Sequence, residues 1–205
     1  MQNASVTRIF DTARLRLPGA TDGVMQLEFM NVVQEFCTTT SAWIDATDVR
    51  LEPNVNLYDL VPPDANGDIK RIMYVENYDR EAPQWTAPAW MPAPGVMQIG
   101  FVPQAPQDIV VFVALQPNEL GCKQSIPGVP DWFYTDYTRP LTDGLIGNML
   151  VQPAKPYSNP QMGQFYLKKF VSGMSTARIQ VENGRRMSGQ RWIFPQGFAV
   201  RRRSY

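Results

Sequence analysis

From Met25 onward, apolar residues recur at steps of three and four: Met25, Phe29, Val32, Val33, Phe36 and Trp43, with Thr40 in phase. That spacing lines one face of an α-helix, and Glu28, Asn31, Gln34 and Glu35 fall mostly on the other. It predicts a helix over residues 23–44, with Asp22 placed to cap it. A second stripe runs Met162, Tyr166, Phe170, Gly173, Ala177, Val181 and predicts a helix over 160–183. Ser158 is its expected N-cap, with Pro160 in the first turn and Gln161 completing a capping box. Asn183-Gly184 is its stop. Between these two, Asp131 heads a helical segment over Trp132–Leu150 that Pro140 must kink or restart. Gly144 and Gly147 in that segment permit close approach of another helix. Residues 1–20 read as extended, ending at Pro18-Gly19.

From 49 to 118 the helical period disappears and Pro, Val, Ile, Tyr and Trp dominate. Val55–Val61 alternates and reads as a strand. Asn66-Gly67 supplies the positive φ values of a tight hairpin, and Ile69–Tyr78 is the returning strand. Gly95–Val102 and Asp108–Gln116 form a second strand pair across a short connection. Between Glu81 and Pro94 lie Pro83, Pro88, Pro92 and Pro94, which suit an irregular or edge segment.

The order is therefore helix, β block, helices, tail. The predicted fold class is α+β: an antiparallel α-helical bundle with an inserted small antiparallel β domain and an extended C-terminal arm. Residues 1–48 hold the N-terminal segment and first bundle helix, 49–120 the β domain, 121–184 the remaining helices, and 185–205 the arm. Neither helical stripe can be left in water, so the two helices must meet. The expected bundle core is Phe29, Val33, Phe36, Trp43, Leu145, Met162, Tyr166, Phe170 and Ala177.

Composition narrows the chemistry. Hydrophobic residues make up 44% of the 205 and aromatics 11%, too many for a disordered chain. Histidine is absent, which excludes Ser-His-Asp and Cys-His catalysis and His-ligated metal sites. The two cysteines, Cys37 and Cys122, form no CxxC pair; they read as buried thiols in a reducing cytosol, with a disulfide between them as the alternative. No signal peptide is expected from the charged first 18 residues, and the longest apolar run, Ile109–Leu115, is far too short to span a bilayer. A soluble protein made in the cytoplasm is expected.

The formal net charge of zero is a cancellation. Residues 1–130 carry 8 basic and 15 acidic side chains, and residues 131–205 carry 11 basic and 4 acidic. Such polarity suits head-to-tail contact between subunits or docking of a basic arm on an acidic neighbour.

Motifs with chemistry are few. Asp64-x-Asn66-x-Asp68 opens like a calcium loop, but Ile69 and Val75 stand where that loop needs Gly and Glu, so a turn is expected. The carboxylate groups Asp45/Asp48/Glu52 and Glu76/Asp79/Glu81 read as solvated surface rather than a hydrolytic pair. Ser158 and Ser188 have no histidine partner, and Lys168 and Lys169 sit naturally on a helix face. No phosphate-cradling glycine loop is present. The tail holds Arg185, Arg186, Arg191, Arg201, Arg202 and Arg203 with Trp192, Phe194, Pro195 and Phe198. That mixture suits nucleic-acid binding by phosphate contacts and stacking, or an arm that lies on another protein.

Three stretches together resemble one family. They are Phe10-Asp11-Thr12-Ala13-Arg14 through Leu17-Pro18-Gly19-Ala20 into Asp22–Glu28; Gln152-Pro153 with Lys155-Pro156-Tyr157-Ser158 and a helix holding Phe170 and Ala177-Arg178; and Gly189-Gln190-Arg191-Trp192 with Phe194-Pro195. The pattern is similar to the head-to-tail adaptor proteins of tailed phages, of the tail tubular protein A type. The resemblance implies a homododecameric ring between the portal protein and the tail nozzle protein of a virion, through which double-stranded DNA passes. It implies no enzyme activity, no catalytic or metal residue, no cofactor and no membrane partner. It places the portal- or neighbour-docking role on the 185–205 arm.

Overall fold

The computed structural model describes residues 4–77, 88–118 and 127–183. Helix α1 (Ala4–Arg16) occupies the stretch read as extended. Its Val6, Ile9, Phe10 and Ala13, followed by Leu17, recur at helical spacing and are buried. Helix α2 (Asp22–Thr40) starts after Thr21, with Asp22 in its first turn, where a carboxylate complements the helix dipole.

Helix α2 stops four residues short of the expected end. The Thr40 hydroxyl donates to the Phe36 carbonyl at 2.7 Å and accepts the Ala42 N–H at 3.2 Å. Ser41 then takes a left-handed φ of 53° and returns its N–H to the Cys37 carbonyl, which closes the helix. Trp43 is consequently buried in the connection to the sheet and not on the helix.

Among the described residues six strands follow: β1 (Ile44–Leu51), β2 (Leu57–Asp59), β3 (Gly67–Asn77), β4 (Ala89–Ala93), β5 (Val96–Ile99) and β6 (Gln107–Pro117). They form two three-stranded antiparallel sheets, ordered β1-β6-β3 and β2-β5-β4. Neither expected hairpin exists, because β2 pairs with β5 and β3 pairs with β6. The Asn66-Gly67 turn instead redirects the chain from one sheet to the other. The Asp64 carboxylate accepts the Asn66 N–H at 2.8 Å, and Gly67 donates to the Asp64 carbonyl. Gly67 does not take positive φ. It is needed for space: a Cβ there would lie 2.9 Å from the Trp43 indole.

Two strands were not expected. The acidic residues Asp45 and Asp48 interrupt the apolar alternation of β1. β4 contains Pro92, but it is an edge strand, where a missing donor costs no ladder bond. The tight hairpin is β4–β5, turned at Pro94-Gly95 with Gly95 at φ +74°.

The chain returns to helix as α3 (Asp131–Asp136), α4 (Thr138–Val151) and α5 (Pro160–Glu182). The break at Tyr137 puts Pro140 in the first turn of α4, so the proline restarts a helix without losing a bond. Helix α5 starts at Pro160 as expected, but its cap is one residue later than expected. Asn159, not Ser158, is the N-cap, and its side chain accepts the Met162 N–H at 3.1 Å. Gln161 therefore has no capping-box role.

Helix α4 packs against α1, α2 and α5, and α2 also lies against β6. Phe29, Val33, Phe36, Leu145, Phe170 and Ala177 are buried, as is Trp43, and Tyr166 is half-buried beside them. Met162 is a correction, since it is 41% exposed. The buried face of α5 runs through Gly163, Phe170, Met174, Ala177 and Val181, and a residue one step from Gly163 is turned roughly 100° away. One buried cluster continues from the helices into both sheets, reaching Leu51, Val111, Met97 and Ile99. The result is an α+β structure of packed helices and two small antiparallel sheets.

Candidate functional site

The ten arm residues singled out above (Arg185, Arg186, Arg191, Trp192, Phe194, Pro195, Phe198, Arg201, Arg202 and Arg203) lie outside the described residues, as do Cys122, Asp79, Glu81 and Ser188. The described residues fix what surrounds the arm's origin and where the other two resemblance stretches sit.

Those two stretches meet. Leu17-Pro18-Gly19-Ala20 is the corner between α1 and α2, closed by an Ala20 N–H bond to the Leu17 carbonyl. Gly19 is at φ +82°, and a Cβ built on it would lie 3.8 Å from Pro156. Pro156 belongs to the corner between α4 and α5. Arg14 bonds Asp11 and Asp22 at 2.8 and 3.1 Å across the first corner, an exposed cluster of small energetic weight.

Glu28 ties the corners together. Its carboxylate accepts from Asn148 Nδ2 at 2.9 Å and sits 3.5 Å from Gln152 Nε2. The Gln152 Oε1 accepts from the Tyr157 hydroxyl at 3.2 Å, and Tyr157 is buried. This half-buried network holds one end of α2 and α4 in register. Glu28→Ala leaves the Asn148 amide without its acceptor and is expected to cost about 1–2 kcal/mol. Glu28→Gln, which keeps one acceptor oxygen, should recover part of that loss. Urea-unfolding midpoints of the two variants check both statements.

A cleft of about 920 Å³ lies between α1, α3, α4 and α5. Arg8, Arg139 and Lys169 share it with Asp136 and Asp143. Its threonines are committed: Thr12, Thr135, Thr142 and Thr176 each donate to the carbonyl four residues back. Burial raises the Asp143 carboxyl above its ordinary range, against the downward pull of Lys169 and Arg139.

The folded chain thus holds the Asp143 proton more tightly than the unfolded chain does. Stability from this group is full below the ordinary carboxylate range and falls as pH rises through the window above it. Asp143→Asn is therefore expected to raise the urea midpoint at pH 7 and to flatten its dependence between pH 4 and 7. A lower midpoint at pH 7 would contradict this.

A second cavity, about 450 Å³, is apolar and aromatic. Ala46, Phe112 and Tyr74 form one cross-strand row over β1, β6 and β3. The Tyr74 and Phe112 rings stack at 4.4 Å. Ile44, Asp45, Trp132 and Val181 complete the walls. Tyr74 and Trp132 are 42% and 36% exposed. Burial and the Glu76 charge raise the Tyr74 phenol. The pattern along the chain does not reveal this groove because its residues come from five elements distant in the sequence. The only local signal was large aromatics, Tyr74 and Phe112, on the outer face of strands.

The remaining candidates stay apart. Asp45 and Asp48 are exposed on β1, and Glu52 pairs loosely with Arg50 at 3.6 Å. Lys168 and Lys169 lie on the exposed face of α5, with Lys169 over the Phe165 ring at 4.9 Å. Cys37 is buried and unpaired by any disulfide, and desolvation drives its thiol far above the ordinary range, so it is a packing residue. Among the described residues, no His, Cys, Asp or Glu group gathers in a way that could hold a metal ion, and no helix is long and apolar enough to cross a membrane. Large apolar side chains do reach the surface: Leu15, Leu27, Val61, Trp90, Phe165 and Ile179. Trp90 and Leu57 flank Gln98 in one row on the outer face of the second sheet.

No protein-family model and no curated protein matches this chain.

Proposed function

We propose that this chain is a structural adaptor of a tailed-phage virion, acting as a ring subunit between the portal and the tail nozzle and lining part of the DNA exit channel. In this reading the helices are an antiparallel bundle, the strands between α2 and α3 are its inserted β domain, and the chain is no enzyme. The observation that carries the reading is the meeting of the two described resemblance stretches at one end of the helices, joined through Glu28, Asn148, Gln152 and Tyr157. Residues that make the resemblance are thus shaping a common corner rather than scattered coincidence. Exposed Leu15, Leu27, Trp90 and Phe165 supply apolar surface of the kind subunit contacts bury.

The test is to mix the purified chain with a purified portal ring and image the product by negative stain. A stacked second ring is expected, with mass photometry giving the copy number near twelve. No association with the portal would overturn the reading. Deleting 186–205 is expected to leave a folded chain, judged by unchanged circular dichroism, that no longer joins the portal. Full attachment after that deletion would remove the docking role from the arm.

The alternative, a nucleic-acid-binding module working through 185–205, is less well supported. The described residues carry 11 basic and 16 acidic side chains, so the body would repel the phosphate backbone. It requires binding whose log affinity falls linearly with log salt.

A further inference from the structure

We propose that the aromatic groove bounded by β1, β3, β6, α3 and the end of α5 is the docking site for residues 184–205 of the same chain. Placement is the first argument. Val181, in the last turn of α5, is part of the groove wall, and residue 184 begins three positions later. Trp192 is eleven residues beyond Val181, a span of at most about 36–40 Å. The segment starts beside its own site and needs only to turn back.

Chemistry is the second argument. The groove offers Ile44, Tyr74, Phe112 and Trp132, and the segment carries Trp192, Ile193, Phe194 and Phe198. Aromatic pairs of this kind add attraction beyond the area they bury. Charge is the third. The segment holds six arginines and no acidic residue, whereas the described body has a net excess of five acids. Asp45 lines the groove, and the Glu76 charge is felt by Tyr74. Arg185 and Arg186 follow the last turn of α5 by only a few positions in the sequence, and a guanidinium can pair with these carboxylates or lie over the exposed Tyr74 ring.

Tethering decides between the same chain and a second copy. A short tether gives an effective concentration on the order of millimolar, far above a micromolar solution of other copies. Docking in cis would therefore keep an aromatic, basic segment covered until a competing partner draws it out. The proposal does not depend on the adaptor reading, because it holds for any role of the chain.

The experiment places the photoreactive residue p-benzoylphenylalanine at Phe112 in the full chain, irradiates it at micromolar concentration and maps the products by mass spectrometry. A second probe at Ala46, across the strand, guards against misfolding of the first, and circular dichroism verifies each fold. Cross-links to peptides within 184–205 are expected, in a species of monomer mass. Trp192→Ala and Asp45→Arg should each lower their yield about tenfold. Folded probes that cross-link to no residue of 184–205 would overturn the proposal. So would cross-links to that segment found only at twice the monomer mass, which would assign the groove to a second copy. A failed portal-imaging experiment leaves this result untouched, so the two readings fail separately.

Discussion

Phe36→Ala is expected to lower the unfolding free energy by about 3–5 kcal/mol, the range for truncating a fully buried phenylalanine. The Phe36 side chain is fully buried on α2. Its ring centroid lies 5.7 Å from Phe133 at 90°, 4.9 Å from Tyr137 and 6.2 Å from Phe170. Those partners belong to α3, to the break before α4, and to α5. Truncation therefore opens a cavity where three segments converge and removes the edge-to-face contact with Phe133. Surrounding rings cannot collapse into the gap without moving a helix, which places the cost in the upper part of the range. For a domain this size the melting temperature should fall by about 6–20 °C. Chemical denaturation checks the free energy, and Phe36→Leu should recover more than half of the loss. A cost under about 1 kcal/mol would mean that the aromatic cluster is not packed as described.

Gly144→Val is expected to cost about 3 kcal/mol, by the opposite mechanism. A Cβ built on Gly144 would lie 2.8 Å from Val32 Cγ1 and 2.9 Å from Phe170 Cδ2. The first contact is on α2 and the second on α5, so the added atoms wedge α4 away from both neighbours at once. Replacing a helix-interior glycine gains up to about 1 kcal/mol of helix propensity, but overpacking a close-packed core costs about 1–3 kcal/mol or more. The two methyls of valine carry the clash beyond what a tip rotation can relieve. Gly23→Ala is the control: nothing lies within 4 Å of a Cβ there. It should be neutral or stabilising by a few tenths of a kcal/mol. Equal effects at the two glycines in thermal unfolding would refute the close approach of α4 to α2 and α5.

Local pattern was enough for α2 and α5, because each buries one stripe against a core and the stripe repeats at helical spacing. It was enough for the presence of β3 and β6, whose runs of Val, Ile and aromatic residues have no helical period. It failed at α1, where Arg8, Asp11, Arg14 and Arg16 drew attention from the spaced Val6, Ile9, Phe10, Ala13 and Leu17. It failed on strand pairing for a different reason. A turn signal such as Asn66-Gly67 states that the chain bends, but partners are selected by cross-strand packing between residues far apart, as between Ile44 and Ala114. Gly67 shows the same limit. Its composition suggested positive φ, and its actual constraint is the Trp43 indole arriving from 24 positions earlier.

The candidate site divides along the same line. The basic and aromatic character of 185–205, the absence of histidine and the acidic balance of the first 130 residues are properties of composition, so the chain alone decides them. Helix phase and capping are nearly as local, since they depend on neighbours three or four positions away, and the one-residue shift from Ser158 to Asn159 is the size of error that locality allows. The groove of Tyr74, Phe112, Trp132 and Val181 and the Glu28 corner are different in kind. Each is assembled from segments separated by 49 or more positions at its widest step, and no periodicity records which of them will touch. Long-range packing of a close-packed core settles those contacts, because helices and sheets have few mutual arrangements that leave neither voids nor overlaps.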